Sequence, residues 1–246
     1  MLKIKTTVGI LGYGEVGKAL AKFYKNPQIK DLIRKDKLID LDILHICIPY
    51  DKNFVKTVVK EIKSSKAKLV IINSTVAPGT TRKIQKLSLH NNIVHSSVRG
   101  KHPNLYLGLK TYVKFVGSDN LKAGKMAVSH FRSLGIKSKL LKNSVASELA
   151  KLFCTTYYGV CVAWFKEMAR ISEQFGLDYQ EVFPAYNKTY NSGIRRVGMK
   201  QFVRPELQAD KGPIGGHCVV PNAQILAKYI KSPALDLILK YAPSQN

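Results

Sequence analysis

The sequence predicts an α/β protein: a doubly wound sheet followed by an all-helical domain built round one long central helix. Three observations predict it. Over about the first 140 residues, short apolar runs alternate with amphipathic stretches, the pattern of βαβ units. A glycine-rich turn follows the first run directly. From Val145 to Phe175 there is no proline, Gly159 is the one glycine, and apolar residues fall on nearly every face, as in a long helix buried on several sides.

Taken in order, Thr6–Leu11 is the first strand, and the glycine turn leads into a helix through about Tyr24. Gln28–Leu32 is a short second strand and Ile43–Ile48 a strong third, followed by helical spacing over Phe54–Ile62. Leu69–Ile72 is four apolar residues without alternation, a strand covered on both faces. Strands follow at Ile93–His95, Tyr112–Val116 and Lys137–Leu141, with a helix near Leu121–Leu134. Asn143 or Ser144 caps the long helix and Gly176 ends it. Asp178 opens another helix through about Tyr186. A loop-rich stretch from Asn187 to Gly216 comes next, then two short helices after Pro221 and Pro233. The expected domains are residues 1–142, binding a nucleotide, and 143–246, helical.

Composition narrows the class. Of 246 residues, 45% are hydrophobic and 23% charged, which excludes a disordered or fibrous chain. No apolar run approaches the roughly 20 residues of a bilayer span, and Met1–Lys5 does not read as a signal peptide. A cytoplasmic protein with no membrane partner is expected. The formal charge is +24, from 40 Lys+Arg against 16 Asp+Glu, and the 32 lysines are spread along the chain. Without arginine clusters or a nucleic-acid module, this reads as a compositional lysine bias on solvated faces, with a surface potential that draws in anionic ligands such as nucleotides as the alternative; no nucleic-acid partner is expected. Cys47, Cys154, Cys161 and Cys218 form no CxxC pair, so no metal is expected. The first three sit in apolar contexts and read as small packed hydrophobes.

The turn reads Gly12-Tyr13-Gly14-Glu15-Val16-Gly17, a GxGxxG between strand and helix. The first glycine permits the tight turn, the second lets backbone approach a pyrophosphate, and the third lets the helix pack on the strand. Asp31 lies 19 residues after Gly12, where an acid grips ribose hydroxyls. This is a Rossmann-type dinucleotide site, and the carboxylate favours NAD over NADP, although Lys30, Arg34 and Lys35 crowd the same spot. Strand ends supply the other cofactor candidates: Ile48 and Pro49 after the third strand, Ser74 and Thr75 after Leu69–Ile72.

Glu148, Lys151 and Thr155 share one face of the long helix. A lysine there needs a partner or a cavity; an ion pair with Glu148 and a functional role stand side by side. In Gly212-Pro213-Ile214-Gly215-Gly216-His217-Cys218, four turn formers in five residues deliver a cysteine to a helix start, where thiolates are favoured, with His217 beside it.

Together, VGILGYGEVGKALA, INSTVAPGTT, the helix ELAKLF…FKEMARISEQFGLD and GPIGGHC resemble the UDP-glucose/GDP-mannose 6-dehydrogenase family of nucleotide-sugar oxidoreductases, in the family's order. The resemblance implies NAD-dependent oxidation of a sugar or nucleotide-sugar alcohol. Cys218 would capture the aldehyde as a thiohemiacetal and carry the thioester, Lys151 would stabilise the oxyanion, and Thr75 would order catalytic water. It also implies a homodimer formed through the long helix. Departures are as informative. Thr155 stands where the family has Asn, and Asn222 where it has Asp, so a general base is lost there. The family's acid before the substrate loop has no match; Arg99, Lys101 and His102 are substrate-binding candidates in its place, beside a solvated-loop reading. The chain ends 28 residues after Cys218, so a form lacking the C-terminal UDP-binding domain is expected. Two alternatives follow: a single two-electron dehydrogenase of the 6-phosphogluconate-like superfamily, and a non-catalytic NAD-binding protein.

Overall fold

A computed structural model describes residues 6–100 and 103–244. The chain divides into two compact units, Met1–Lys151 and Leu152–Asn246. In the first, the elements are β1 (Val8–Leu11), α1 (Glu15–Ala21), β2 (Gln28–Lys30), β3 (Ile43–Ile46), α2 (Phe54–Ser65), β4 (Leu69–Ile72), α3 (Thr80–Ser88), β5 (Ile93–His95), α4 (Leu105–Thr111), β6 (Lys114–Gly117), α5 (Leu121–Ser133) and β7 (Ser138–Leu141). The strands form one sheet in the order β2-β1-β3-β4-β5-β6-β7. Neighbours run parallel except β5 and β6, which pair antiparallel through His95 and Gly117.

All four residues of β1, β3 and β4 are buried, because helices cover both faces of a parallel sheet. One face packs Leu44, Ile46, Val70 and Ile72 against Phe54, Val58 and Ile62 of α2, spaced four residues apart on one helical stripe. The other packs Ile43, Leu69, Ile71 and Val94 against Ala123, Ala127 and Phe131 of α5. From β1 the chain passes to β2 on one side, and β3 lies on the other. This reversal opens a crevice at the strands' carboxyl ends, the usual ligand position of such sheets.

The second unit is helical. α6 (Ser144–Gln174) supplies it from Leu152 onward, followed by α7 (Tyr179–Val182), α8 (Pro184–Arg196), a 3-10 turn at Lys200–Phe202, α9 (Val219–Ala227) and α10 (Pro233–Lys240). The single glycine inside α6 has a packing cause: a Cβ on Gly159 would lie 2.6 Å from Val219 Cγ1 and 3.0 Å from Ile238 Cδ1. Gly176, at φ +68°, takes the left-handed turn that follows the helix.

Several elements differ from the sequence expectation. Residues 187–196 are helical rather than loop. Their asparagines made the stretch look polar, yet Asn187 and Asn191 are buried, and Asn191 Oδ1 and Nδ2 bond Arg204 N and O, both at 2.9 Å. α3 and α4 have no counterpart among the expected elements. In α4, Gly108 reads as a helix breaker, but its Cβ would stand 2.7 Å from Arg99 O, so close packing requires glycine. Cys154 is exposed rather than packed. Among the described residues, no helix is long and apolar enough to cross a membrane.

Candidate active site

The glycine turn caps the carboxyl end of β1. Gly12 sits at φ +95°, and a Cβ there would stand 2.7 Å from the carbonyl of Cys47, the residue after β3. A Cβ on Gly17 would stand 2.0 Å from Gly12 O, so α1 approaches the turn as only glycine allows. Gly14 differs: it is exposed, and nothing lies within 4 Å of its Cβ direction. No side chain of Gly14 caps α1, which starts at Glu15 beside that open side. Glu15 is exposed and Val16 half-buried.

Asp31 follows β2. Its Oδ2 accepts from Tyr13 N at 2.5 Å and its Oδ1 from Leu32 N at 2.7 Å, tying the acid to the glycine turn. Each carboxylate oxygen keeps a second lone pair for a hydroxyl. Ser74 Oγ donates to Ile48 O at 2.6 Å, joining the ends of β3 and β4 where Pro49 and the half-buried Thr75 also lie. These residues fit a bound dinucleotide: an open glycine and helix start for phosphates, and a fixed carboxylate for ribose.

Glu148 and Lys151 do different jobs. Glu148 accepts from Gly79 N at 2.6 Å, Thr81 N at 2.9 Å and Thr81 Oγ1 at 2.7 Å, so it caps α3, whose own N-cap residue is glycine. Burial holds its carboxyl above the ordinary range, against the pull of those donors. Lys151 Nζ donates to Val98 O at 3.0 Å, in the segment after β5. Arg99 is exposed, with its guanidinium 5.5 Å from the Tyr112 ring and 5.7 Å from the Phe115 ring. Lys101 and His102 lie outside the described residues.

In the helical unit, Cys218 is half-buried and is the N-cap of α9, which begins at Val219, two residues before Pro221. Asn222 is buried, and its backbone N–H donates to Cys218 O at 3.1 Å. His217 is exposed and Thr155 half-buried. The loop leading to the thiol is anchored by groups the sequence reading missed. The buried Lys166 donates to Asp210 O and, at 3.0 Å, to Gly212 O, while Ile214 N–H donates to Tyr241 O at 2.7 Å. The available signal was a lysine set inside the apolar run of α6, directly after Phe165; it is 8% exposed.

Behind the sheet lies a second missed feature, a buried polar cluster. Tyr24 Oη sits 2.8 Å from Nε2 of both His45 and His130, and Asn73 Nδ2 lies 3.1 Å from His45 Nδ1. His95 Nδ1 lies 2.8 Å from Ser147 Oγ. Burial drives the histidines toward the neutral form, His95 to about 3, His130 to about 4 and His45 well below its ordinary value.

A doubly wound, mostly parallel sheet with a glycine turn at its switch point, followed by a helical unit, defines the Rossmann-type class. Residues 145–242 match the family model described as UDP-glucose/GDP-mannose dehydrogenase family, central domain. A curated relative is UDP-N-acetyl-D-mannosamine dehydrogenase of Pyrococcus horikoshii, 23% identical over 249 residues, covering 93% of this chain and 56% of the relative. The corresponding enzyme of Methanocaldococcus jannaschii is 26% identical over 79% of this chain and 46% of its own. The chain therefore spans about half the length of these relatives. Among solved structures, the UDP-D-ManNAc dehydrogenase of P. horikoshii superposes with a TM-score of 0.70 at 18% identity, covering 96% of this chain and 68% of that one. A 3-hydroxyisobutyrate dehydrogenase of Mycobacterium tuberculosis gives 0.67 at 12% identity, covering 96% and 92%. These structural likenesses establish the fold.

Proposed function

We infer that the chain is an NAD-dependent dehydrogenase acting on an alcohol of a sugar or nucleotide sugar. The observation that carries the reading is the open Gly14 beside a fixed Asp31, in a chain whose residues 145–242 match the UDP-glucose/GDP-mannose dehydrogenase central-domain model. When bound, NAD supplies the hydride acceptor. Gly14 and the start of α1 hold the pyrophosphate, and Asp31 takes the ribose hydroxyls. Ile48, Pro49, Ser74 and Thr75, at the ends of β3 and β4, would hold the rest of the cofactor. Cys218 would add to the aldehyde as thiolate, and the thiohemiacetal would give up a second hydride to the acceptor to become a thioester, which water hydrolyses to the acid and the free thiol; Lys151 would oppose the negative charge on oxygen and Thr75 would orient that water. Arg99 and His217 serve substrate binding, and Thr155 donates a hydroxyl where a longer amide is usual. The exposed aromatic stripe Phe153, Tyr157 and Trp164 on α6 supports a homodimer through that helix.

The test is hydride transfer to NAD with a panel of sugars and UDP-sugars, comparing wild type with Cys218→Ala. Two NADH per substrate and an acid product are expected, with the acid lost in Cys218→Ala; equal acid formation by both sinks the nucleophile. One observation favours a second reading. Asn222 is buried at the start of α9 and cannot accept a proton near neutral pH. A single oxidation stopping at the aldehyde or ketone would give one NADH per substrate.

A further inference from the structure

Among the described residues, Lys114, the first residue of β6, is a buried cation, only 3% exposed. Its Nζ donates to Ser96 O at 2.5 Å and lies 3.4 Å from Ser97 O. The next carbonyl along, Val98 O, accepts from Lys151 at 3.0 Å. Three consecutive carbonyls after β5 are thus held by two ammonium groups from different elements. Ser96 is fixed further, its Oγ donating to Phe115 O at 2.8 Å and its N–H to Ile72 O at 2.8 Å. Burying an ammonium is costly, and a neutral side chain could fill the same volume. The charge must therefore be tied to the backbone it grips.

We propose that Lys114 is a positioning residue: its buried ammonium holds the Ser96–Val98 backbone on which Lys151 rests, so its charge sets where Lys151 Nζ stands. The consequence for turnover rests on the role assigned to Lys151 above.

The groups facing Lys114 allow its charge to change near neutrality. Burial pushes its amine down to about 7, and the nearby Lys151 charge pushes the same way. β3 presents His45 and is followed by Cys47, β5 presents His95, α6 presents Lys151, and α5 presents the uncharged Phe131 ring, 5.0 Å from Nζ. His130 of α5 lies one shell further, against His45. Burial pushes the Cys47 thiol up to about 12 and His95 down to about 3, while His45 falls well below its ordinary value. All three remain uncharged from about pH 6 to about pH 8. Across that range Lys114 changes from ammonium to amine and loosens its grip on Ser96 O and Ser97 O.

The test uses the full chain carrying [ε-13C]lysine, with the Lys151 signal assigned by its disappearance in Lys151→Arg. In wild type the Lys151 signal should shift with the same midpoint as the Lys114 signal. In Lys114→Arg, which stays charged, that shift should vanish. In parallel, kcat for hydride transfer is measured from pH 5.5 to about 9. The ratio of wild type to Lys114→Arg should be constant on the acid side and fall about tenfold through neutrality, with KM unchanged within about twofold. A Lys151 signal indifferent to the Lys114 transition overturns the proposal, and the wild-type titration decides this even if Lys114→Arg does not fold. Coupled lysine signals without hydride transfer to any sugar would support the positioning role and count against the dehydrogenase reading. Transfer with a flat ratio and uncoupled signals would do the reverse.

Discussion

The two glycine-rich loops of this chain are built on opposite principles. In the sheet unit, the glycines at positions 12 and 17 are demanded by neighbours: an added Cβ would meet backbone at 2.7 Å and 2.0 Å. In the helical unit, Gly212, Gly215 and Gly216 have nothing within 4 Å of their Cβ directions, and only the dihedrals of Gly212 (φ +83°) and Gly216 (φ +85°) call for glycine. The first loop is clamped by packing. The second is shaped by backbone conformation and held from outside by Lys166 and Tyr241. A phosphate-binding turn gains from rigidity. The loop ahead of Cys218, in the nucleophile role proposed for that residue, can keep adjustable chain because its ends are fixed.

Breaking the clamp should have the largest effect. Gly17→Ala forces a methyl group onto Gly12 O, and a loss of about 3 kcal/mol in stability is expected, with NAD affinity lost as well. Urea denaturation and a fluorescence titration of NADH would measure both. An unchanged variant would mean the turn is not clamped.

Acid should reach the sheet unit next, because the buried histidines lie there. The folded pKa values of His95 and His130 lie below their unfolded values. The unfolded chain therefore binds more protons between about pH 6.5 and about pH 4, and stability falls as pH drops through that window. Each such histidine steepens the fall by up to about 1.4 kcal/mol per pH unit. Thermal unfolding from pH 7 to pH 4 measures the slope, and His130→Gln should flatten it.

The smallest effects belong to the second loop. Gly216→Ala pays only for a left-handed residue, about 1 kcal/mol, and Gly215→Ala should stay within about 0.5 kcal/mol. Denaturation midpoints would rank the pair, and equal large losses would show that this loop is packed after all.

The sequence was most informative where one local rule governs. The strands β1, β3 and β4 are unbroken apolar runs, and the glycine turn, Asp31 and the bounds of α6 follow from short-range pattern. What stayed illegible depends on partners far along the chain. α3 has a polar face and a glycine N-cap, and its cap comes from Glu148, 67 residues beyond Thr81. α8 hides its core contacts behind asparagines that bond the segment around Arg204. Lys114 sits in a strand that reads as apolar, and only the carbonyls of Ser96 and Ser97 explain how a lysine can lie inside. Periodicity finds buried faces; it does not find the acceptors that make a buried charge tolerable.

The Glu148 cap also bears on how the chain assembles. A carboxylate in the first turns of a 31-residue helix supplies the donors at the start of α3 with their acceptors. During synthesis, α3 emerges well before its acceptor does, so its first turn has to wait for the later segment to dock. A fragment ending ahead of residue 144 would contain every strand of the sheet yet leave this helix fraying at its origin, and the boundary suggested by strand content alone would cut the folding unit too short.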